Sequence, residues 1–180
     1  MTAASTPPSH SEPATVTLRD GRCVVVREVR PEDAASFGAA FARLSSQARY
    51  NRFFGAVREL PASALDRAVR PDTEREYAIV AVAVGSDAGE ICGGGRYFVE
   101  SDGTTCEFAL TVVDDCRRTG LGSHLLQALV ASARARGLQR MRGYVLASNA
   151  PMLGLARHLG FENTESDQGP GVRLVSKSLG

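Results

Sequence analysis

The segment with the clearest chemical signature is Arg117-Arg118-Thr119-Gly120-Leu121-Gly122. It lies between a β-favouring run ending at Val113 and an amphipathic run opening at Leu121. A turn of this kind presents several backbone N–H groups at a helix N-terminus. The helix dipole adds partial positive charge there, and glycine lets an anion approach the backbone closely. The group such a loop holds is a phosphate or pyrophosphate, with Arg117 and Arg118 adding charge-assisted contacts. Two common phosphate loops do not match. No Gly-Lys-Ser/Thr is present, and Leu125 stands where a dinucleotide fingerprint needs its third glycine. A second feature is Glu107, which on strand alternation shares a face with Ala109 and Thr111. An acid beside small residues on a central strand is costly unless it faces a cleft, so Glu107 stands out as a titrating group.

These residues need elements to position them. Thr15–Arg19 and Arg22–Val29 flank Asp20-Gly21, a hairpin signal. Pro31-Glu32-Asp33 opens an amphipathic stretch to Leu44, with Pro and acids in its first turn. Shorter helical stretches follow at 46–54 and 61–69. Three strands in meander come next, at 76–84, 91–100 and 104–113, with turns at Ser86-Asp87-Ala88-Gly89 and Ser101-Asp102-Gly103. Leu121, Leu125, Leu129 and Ala133 at spacing four give a helix to Arg136, closed by Gly137. A strand at 141–147, a helix at 150–158 closed by Gly160, a loop and a last strand at 172–176 complete the chain. The order predicts a mixed α/β domain with one sheet and helices on both faces. Residues 1–14, rich in Ser, Thr, Pro and Ala, are expected to be a disordered tail before a single domain at 15–180.

Composition narrows the function classes. The chain has 180 residues, 43% apolar and 23% charged, which suits one domain with a real core. No run of eighteen apolar residues is present, so no membrane partner is expected, and no basic stretch followed by an apolar block signals secretion. A formal net charge of +1 argues against nucleic acid as the main partner. The basic residues are 20 Arg and one Lys, Lys177. Cys23, Cys92, Cys106 and Cys116 form no C-x-x-C pair and have no His at ligand spacing, so no metal is expected. Reduced, buried cysteines and the missing secretion signal point to the cytoplasm. No obvious His base accompanies Cys116 as a nucleophile.

The Arg117–Gly122 segment resembles the acyl-CoA-binding signature of the GNAT acetyltransferase superfamily, Q/R-x-x-G-x-G/A between a sheet strand and a long helix. Asn149 in the next strand-to-helix loop and Leu159-Gly160-Phe161 at the end of the following helix match the same superfamily. Leu44-Ser45-Ser46-Gln47-Ala48-Arg49-Tyr50-Asn51-Arg52-Phe53-Phe54 is similar to the L-S-x-E-S-R-Y-x-R-F-F stretch of bacterial protein-lysine acetyltransferases that act on acyl-CoA synthetases. Residues 75–81, 109–115 and 145–149 look like the same group.

The resemblance implies a GNAT fold, a single mixed and mostly antiparallel sheet flanked by helices. It implies acetyl-CoA as cosubstrate and direct attack by a primary amine. Two strand ends would splay near Val113 and Ala147, and the pantetheine arm would pair with the backbone of Val112 and Val113. The pyrophosphate would sit on the amides from Arg118 to Gly122, with Ser123 at its edge. Glu107 would be the base, as the resembling enzymes carry a Glu in this strand. The acid Tyr that many relatives place five residues before the Phe of the leucine-glycine-phenylalanine ending is Ala156 here. Tyr144, Ser148 and His158 are weak substitutes for it, and Gly93-Gly94-Gly95 reads as room for the acceptor or the acetyl end. Arg49 and Arg52 border the acceptor side and could meet an acidic protein surface. Three functions stay open: transfer to a protein lysine, transfer to a small amine, and non-catalytic acyl-CoA binding. Oligomeric state and acyl preference are not legible.

Overall fold

The computed structural model describes residues 12–85 and 89–180. The strands are β1 (Ala14–Thr17), β2 (Cys23–Glu28), β3 (Glu76–Val84), β4 (Ile91–Val99), β5 (Thr105–Val112), β6 (Arg140–Leu146), β7 (Glu162–Glu165) and β8 (Val172–Ser178). The helices are α1 (Ala34–Ala42), α2 (Ser46–Phe53), α3 (Ala62–Val69), α4 (Leu121–Ala135) and α5 (Ala150–His158). One eight-stranded sheet runs in the order β1-β2-β3-β4-β5-β6-β8-β7. Every neighbouring pair is antiparallel except β5 and β6.

That exception shapes the molecule. β5 and β6 pair only from Thr105–Glu107 to Arg140–Arg142 and then part. The Phe108 ring packs at the base of the fork. It packs edge-on against Phe161 with ring centres 5.4 Å apart. It also comes so close to Gly143 that a Cβ there would stand 2.7 Å from the ring. Glycine at 143 is therefore a packing requirement of the fork.

One face of the sheet is covered by α4. Its Leu125, Leu129 and Ala133 are fully buried against Ile79, Tyr97 and Phe108, with Ala156 of α5 in the same cluster. The spacing of four that marks this helix in the sequence is the stripe that packs. The other face carries α1, where Ala40 and Phe37 meet Val80, Ile91 and Val113. α2 and α3 extend that layer through Phe41, Leu44, Ala48 and Phe53.

The entry to α1 depends on a buried ion pair. Asp33 accepts from both Arg27 nitrogens at 2.8 and 2.7 Å and from the Arg30 backbone N–H at 2.7 Å. Burial opposes its charge, but the Arg27 guanidinium and the Arg30 N–H outweigh burial and hold its carboxyl below the usual range. At the far end of the sheet, the Lys177 amine donates to the Leu159 carbonyl at 2.9 Å and lies 5.9 Å from the Phe161 ring centre.

Most expected elements are present within a residue or two. Pro31–Asp33 forms a 3-10 turn and α1 proper starts at Ala34. β7 was not expected: all four of its residues are exposed, so no apolar alternation announces it. β1 starts at Ala14, inside the stretch expected as tail. Residues 1–11 of that stretch, and most of the turn expected at 86–89, lie outside the described residues.

Two variants test these contacts. Asp33→Ala leaves Arg27 buried without its partner and is expected to destabilise by roughly 3 kcal/mol in urea unfolding at neutral pH. A carboxyl held below its unfolded pKa stabilises above about pH 4 and loses that effect as pH falls through the folded value. The gap between wild type and variant should therefore close in acid. Gly143→Ala is expected to cost about 1–3 kcal/mol, because its Cβ would press on the buried Phe108 ring. An unchanged unfolding midpoint would show that the ring does not pack tightly over Gly143.

Candidate active site

The phosphate-type loop starts from a 3-10 turn at Asp114–Cys116. Arg118 follows with φ of 62° and Gly120 with φ of 90°, so the chain curls left-handed just before α4. As a result, the N–H groups of Arg118, Thr119, Gly120, Leu121 and Gly122 donate to no carbonyl among the described residues. They form a concave set of donors at a helix N-terminus. The side chains divide the work differently from the sequence expectation. Thr119 is buried and its hydroxyl donates to the Cys116 carbonyl at 2.7 Å, while Leu121 is in the core. Only their backbone faces outward. Arg117 is held by Asp114 at 2.8 Å, whereas Arg118 is exposed with no ion pair among the described residues. Ser123 is half-buried at the first turn of α4, where its N–H donates to the Gly120 carbonyl at 3.0 Å.

One basic residue near this loop was not foreseen. The Arg19 N–H donates to the Thr119 carbonyl at 2.9 Å, and the Arg19 side chain runs past Gly120. The hairpin signal at Asp20-Gly21 is local, whereas the docking of that hairpin on the loop is a long-range contact.

The fork between β5 and β6 opens beside the loop. Backbone groups of successive strand residues point to opposite edges. The Val113 N–H is already bound to the Cys92 carbonyl at 2.9 Å, so it faces β4. Val112 and, two residues back, Leu110 present their N–H and C=O groups to the open fork instead. The expected pairing through both Val112 and Val113 is corrected accordingly: Val113 contributes a buried side chain, and Leu110 takes its place at the fork. Asn149 caps α5, accepting from the Met152 N–H at 3.3 Å, and lies in the loop after β6.

Glu107 is the last paired residue of β5 before the fork. It is exposed, lies directly across from Phe98 on β4, and has no hydrogen bond or ion pair among the described residues. Its neighbour Arg142 is taken by Glu100, at 2.5 and 2.9 Å. Partial desolvation raises the Glu107 pKa above the ordinary carboxylate value. The Arg142 charge works against this and the Glu100 charge adds to it.

On the same sheet face, a cavity of about 200 Å³ lies under α1–α3. Gly93, Gly94 and Gly95 form part of its wall, with Ala109 and Thr111. The glycines are compelled by close contact as well. A Cβ would fall 2.8 Å from the Thr111 carbonyl at Gly93 and 2.9 Å from Leu129 at Gly95. Arg52 and Arg96 enter the same cavity. Arg49 does not face outward as expected. It donates to the carbonyls of Leu44, Arg58 and Ala42 at 2.9–3.2 Å and lies over the Phe41 ring. Ala156 is fully buried, Ser148 and His158 are exposed, and Tyr144 lies on the face of Arg142 across the fork. Among the described residues, no three His, Cys, Asp or Glu side chains gather to hold a metal ion, and no helix is long and apolar enough to cross a membrane.

Residues 45–161 match the family described as "Acetyltransferase (GNAT) family". The chain belongs to that family. It is an acyl-CoA-dependent N-acetyltransferase, and acetyl-CoA is the family's cosubstrate. The chain is 33% identical over 147 residues to "Acetyltransferase PA5475" of Pseudomonas aeruginosa, covering 81% of this chain and 78% of that one. It is 37% identical over 108 residues to an L-methionine sulfoximine/L-methionine sulfone acetyltransferase of Pseudomonas aeruginosa, covering 58% and 63%. The fold is similar to the GNAT domain of S. lividans PAT, with a TM-score of 0.84, 28% identity, and coverage of 92% and 96%. The fold class expected from the sequence is the one observed, and the donor-rich loop, the fork and Glu107 are features that this acetyltransferase places along β5, in the middle of its sheet.

Proposed function

We propose that this acetyltransferase moves an acetyl group from acetyl-CoA to the ε-amine of a protein lysine by direct attack. A metabolic enzyme such as an acyl-CoA synthetase is the target class. The observation that carries the reading is the open rim at Glu107: an unpaired, exposed carboxylate beside an exposed aromatic, Phe98, which is 47% exposed. A lysine on a folded protein can reach such a rim. The likeness to the S. lividans PAT domain supports the same reading.

Each residue then has a task. The amides from Arg118 to Gly122 hold the pyrophosphate, with Ser123 at the edge and Arg117, Arg118 and Arg19 adding charge. Val112 and Leu110 pair with the pantetheine arm in the fork, and a Val112 or Leu110 N–H polarises the thioester carbonyl. Asn149 flanks that arm from the β6 side. Bound acetyl-CoA supplies an activated thioester carbonyl. Lysine, with a pKa near 10.4, is almost wholly protonated at neutral pH, so a base must take its proton first. Glu107 accepts that proton, and its raised pKa makes it a stronger acceptor than an ordinary carboxylate. With Ala156 in the place of a tyrosine, no protein acid is assigned to the leaving group. A thiol pKa of about 8.5 lets CoA depart as a thiolate.

The partly open apolar cavity under α1–α3 favours a second reading, a small-molecule amine as acceptor.

Two measurements decide. Glu107→Gln is expected to lower turnover by about 10²–10⁴ while acetyl-CoA affinity stays near wild type. The acid limb of the wild-type pH–rate profile should lie above the ordinary Glu range and be absent from the variant. Unchanged turnover removes Glu107 from the mechanism. The second measurement presents a purified acyl-CoA synthetase alongside polyamines and amino acids, with acetyl-lysine read by mass spectrometry. Acetylation of the protein is expected. Rapid transfer to one small amine with none to protein overturns the lysine reading.

A further inference from the structure

The acceptor-side cavity has a charge imbalance that the lysine reading does not use. Its wall is mostly apolar, with Phe37, Phe41, Phe53 and Leu60 from the helical layer. Two guanidinium groups enter it. Arg96 donates to the Ala68 carbonyl at 3.0 Å and approaches Glu76 only loosely, at 3.6 Å. Arg52 has no hydrogen bond or ion pair among the described residues, and its nearest polar relation is a stacking contact 5.1 Å from the Phe53 ring centre. Burial, and then the like charge of Arg96, lower the Arg52 pKa. Against these two cations stands one carboxylate, Glu76, so the site carries net positive charge in an apolar setting. Charge half-buried against an apolar wall in this way favours a counter-ion.

The placement says which counter-ion. Arg96 is directly opposite Ala109, and Glu107 is two residues from Ala109 on the same face, about 7 Å along the strand. The face thus offers an anion site at the cavity and a proton acceptor two residues along β5 from the lining residue Ala109. Between them lies apolar wall. A volume of about 200 Å³ falls below the roughly 300–1,000 Å³ of drug-sized ligand sites, so the occupant is small.

We propose that Arg52 and Arg96 form a carboxylate-binding subsite, and that free α-amino acids with apolar side chains are a second acceptor class for this enzyme. The inference rests on the small-amine reading and goes beyond it by naming the acceptor class. The carboxylate lies between the two guanidinium groups, the side chain against the phenylalanines, and the amine toward Glu107. The amine nitrogen forms a bond to the acetyl carbonyl carbon and the carbon–sulfur bond breaks. Sulfur keeps its electron pair as CoA leaves; one ammonium proton passes to Glu107 before attack, and the second, lost from nitrogen as the amide forms, is taken up by the departing thiolate.

The test uses the full chain with acetyl-CoA, reading CoA release and N-acetyl product. Leucine, methionine and phenylalanine are each compared with their amides and their decarboxylated amines. At least one amino acid should exceed its amide in kcat/KM by about 10-fold or more, as expected for a charge-assisted pair. Arg52→Gln and Arg96→Gln should raise the KM for that amino acid by about 10- to 100-fold without changing the KM for acetyl-CoA. Equal rates for acid and amide, no amino-acid turnover, or variants that leave the amino-acid KM unchanged each overturn the proposal. If a variant does not fold, the acid-against-amide comparison on wild type decides alone. An acyl-CoA synthetase assayed in the same preparation separates the two readings. Protein acetylated without amino acids sinks this proposal and leaves the lysine reading standing, and the reverse result sinks the lysine reading alone.

Discussion

The parting of β5 from β6 is the constraint on which the rest of the site depends. Two parallel strands that stayed paired would bury every N–H and C=O along their shared edge. Here the pairing stops after Glu107 and Arg142, and the Phe108 ring packs over Gly143 where the strands begin to part. Leu110 and Val112 are left with polar edges facing a gap, and Glu107 ends up at the point of divergence. The donor-rich loop follows directly, because β5 runs into it at Val113. The opening is a run of unsatisfied backbone that an extended, strand-like partner can pair with.

The same architecture divides charge. The loop edge gathers N–H groups, Arg118 and Arg19, which suit an anion with several oxygens. The opposite layer, formed by α1–α3, borders a partly open apolar cavity lined by Arg52 and Arg96. Asp114 connects the two. It pairs with Arg117 of the loop at 2.8 Å and accepts from the N–H and hydroxyl of Ser45, which caps α2, at 2.7 and 3.0 Å. The helix that delivers Arg52 is thereby fixed to the loop.

Sequence pattern revealed what is periodic or local. The stripe on α4, the glycine-bearing loop and the alternation placing Glu107 with Ala109 and Thr111 are all short-range signals, and all three are found as expected. Long-range pairing was not legible. The four residues of β7 are exposed and form a strand only because β8 offers an edge. Arg19 meets Gly120 across a distance in sequence of about a hundred residues. Arg49 and Arg52 lie on one short helix, yet one clamps loop carbonyls and the other enters a cavity, and neither spacing nor charge distinguishes them. The edge assignment that separates Val112 from Val113 needs the β4 register, which a single strand does not contain.

The chain's one lysine side chain has a consequence of its own. Its amine is bound to the Leu159 carbonyl at the end of α5 and set beside Phe161. Acyl thioesters slowly modify accessible lysines without any catalyst. A catalyst that uses such a thioester while carrying twenty guanidinium groups and one lysine offers its own reagent few side-chain amines to modify. Its surface charge therefore stays constant as acyl-CoA levels rise, where a lysine-rich surface would gradually lose its cations.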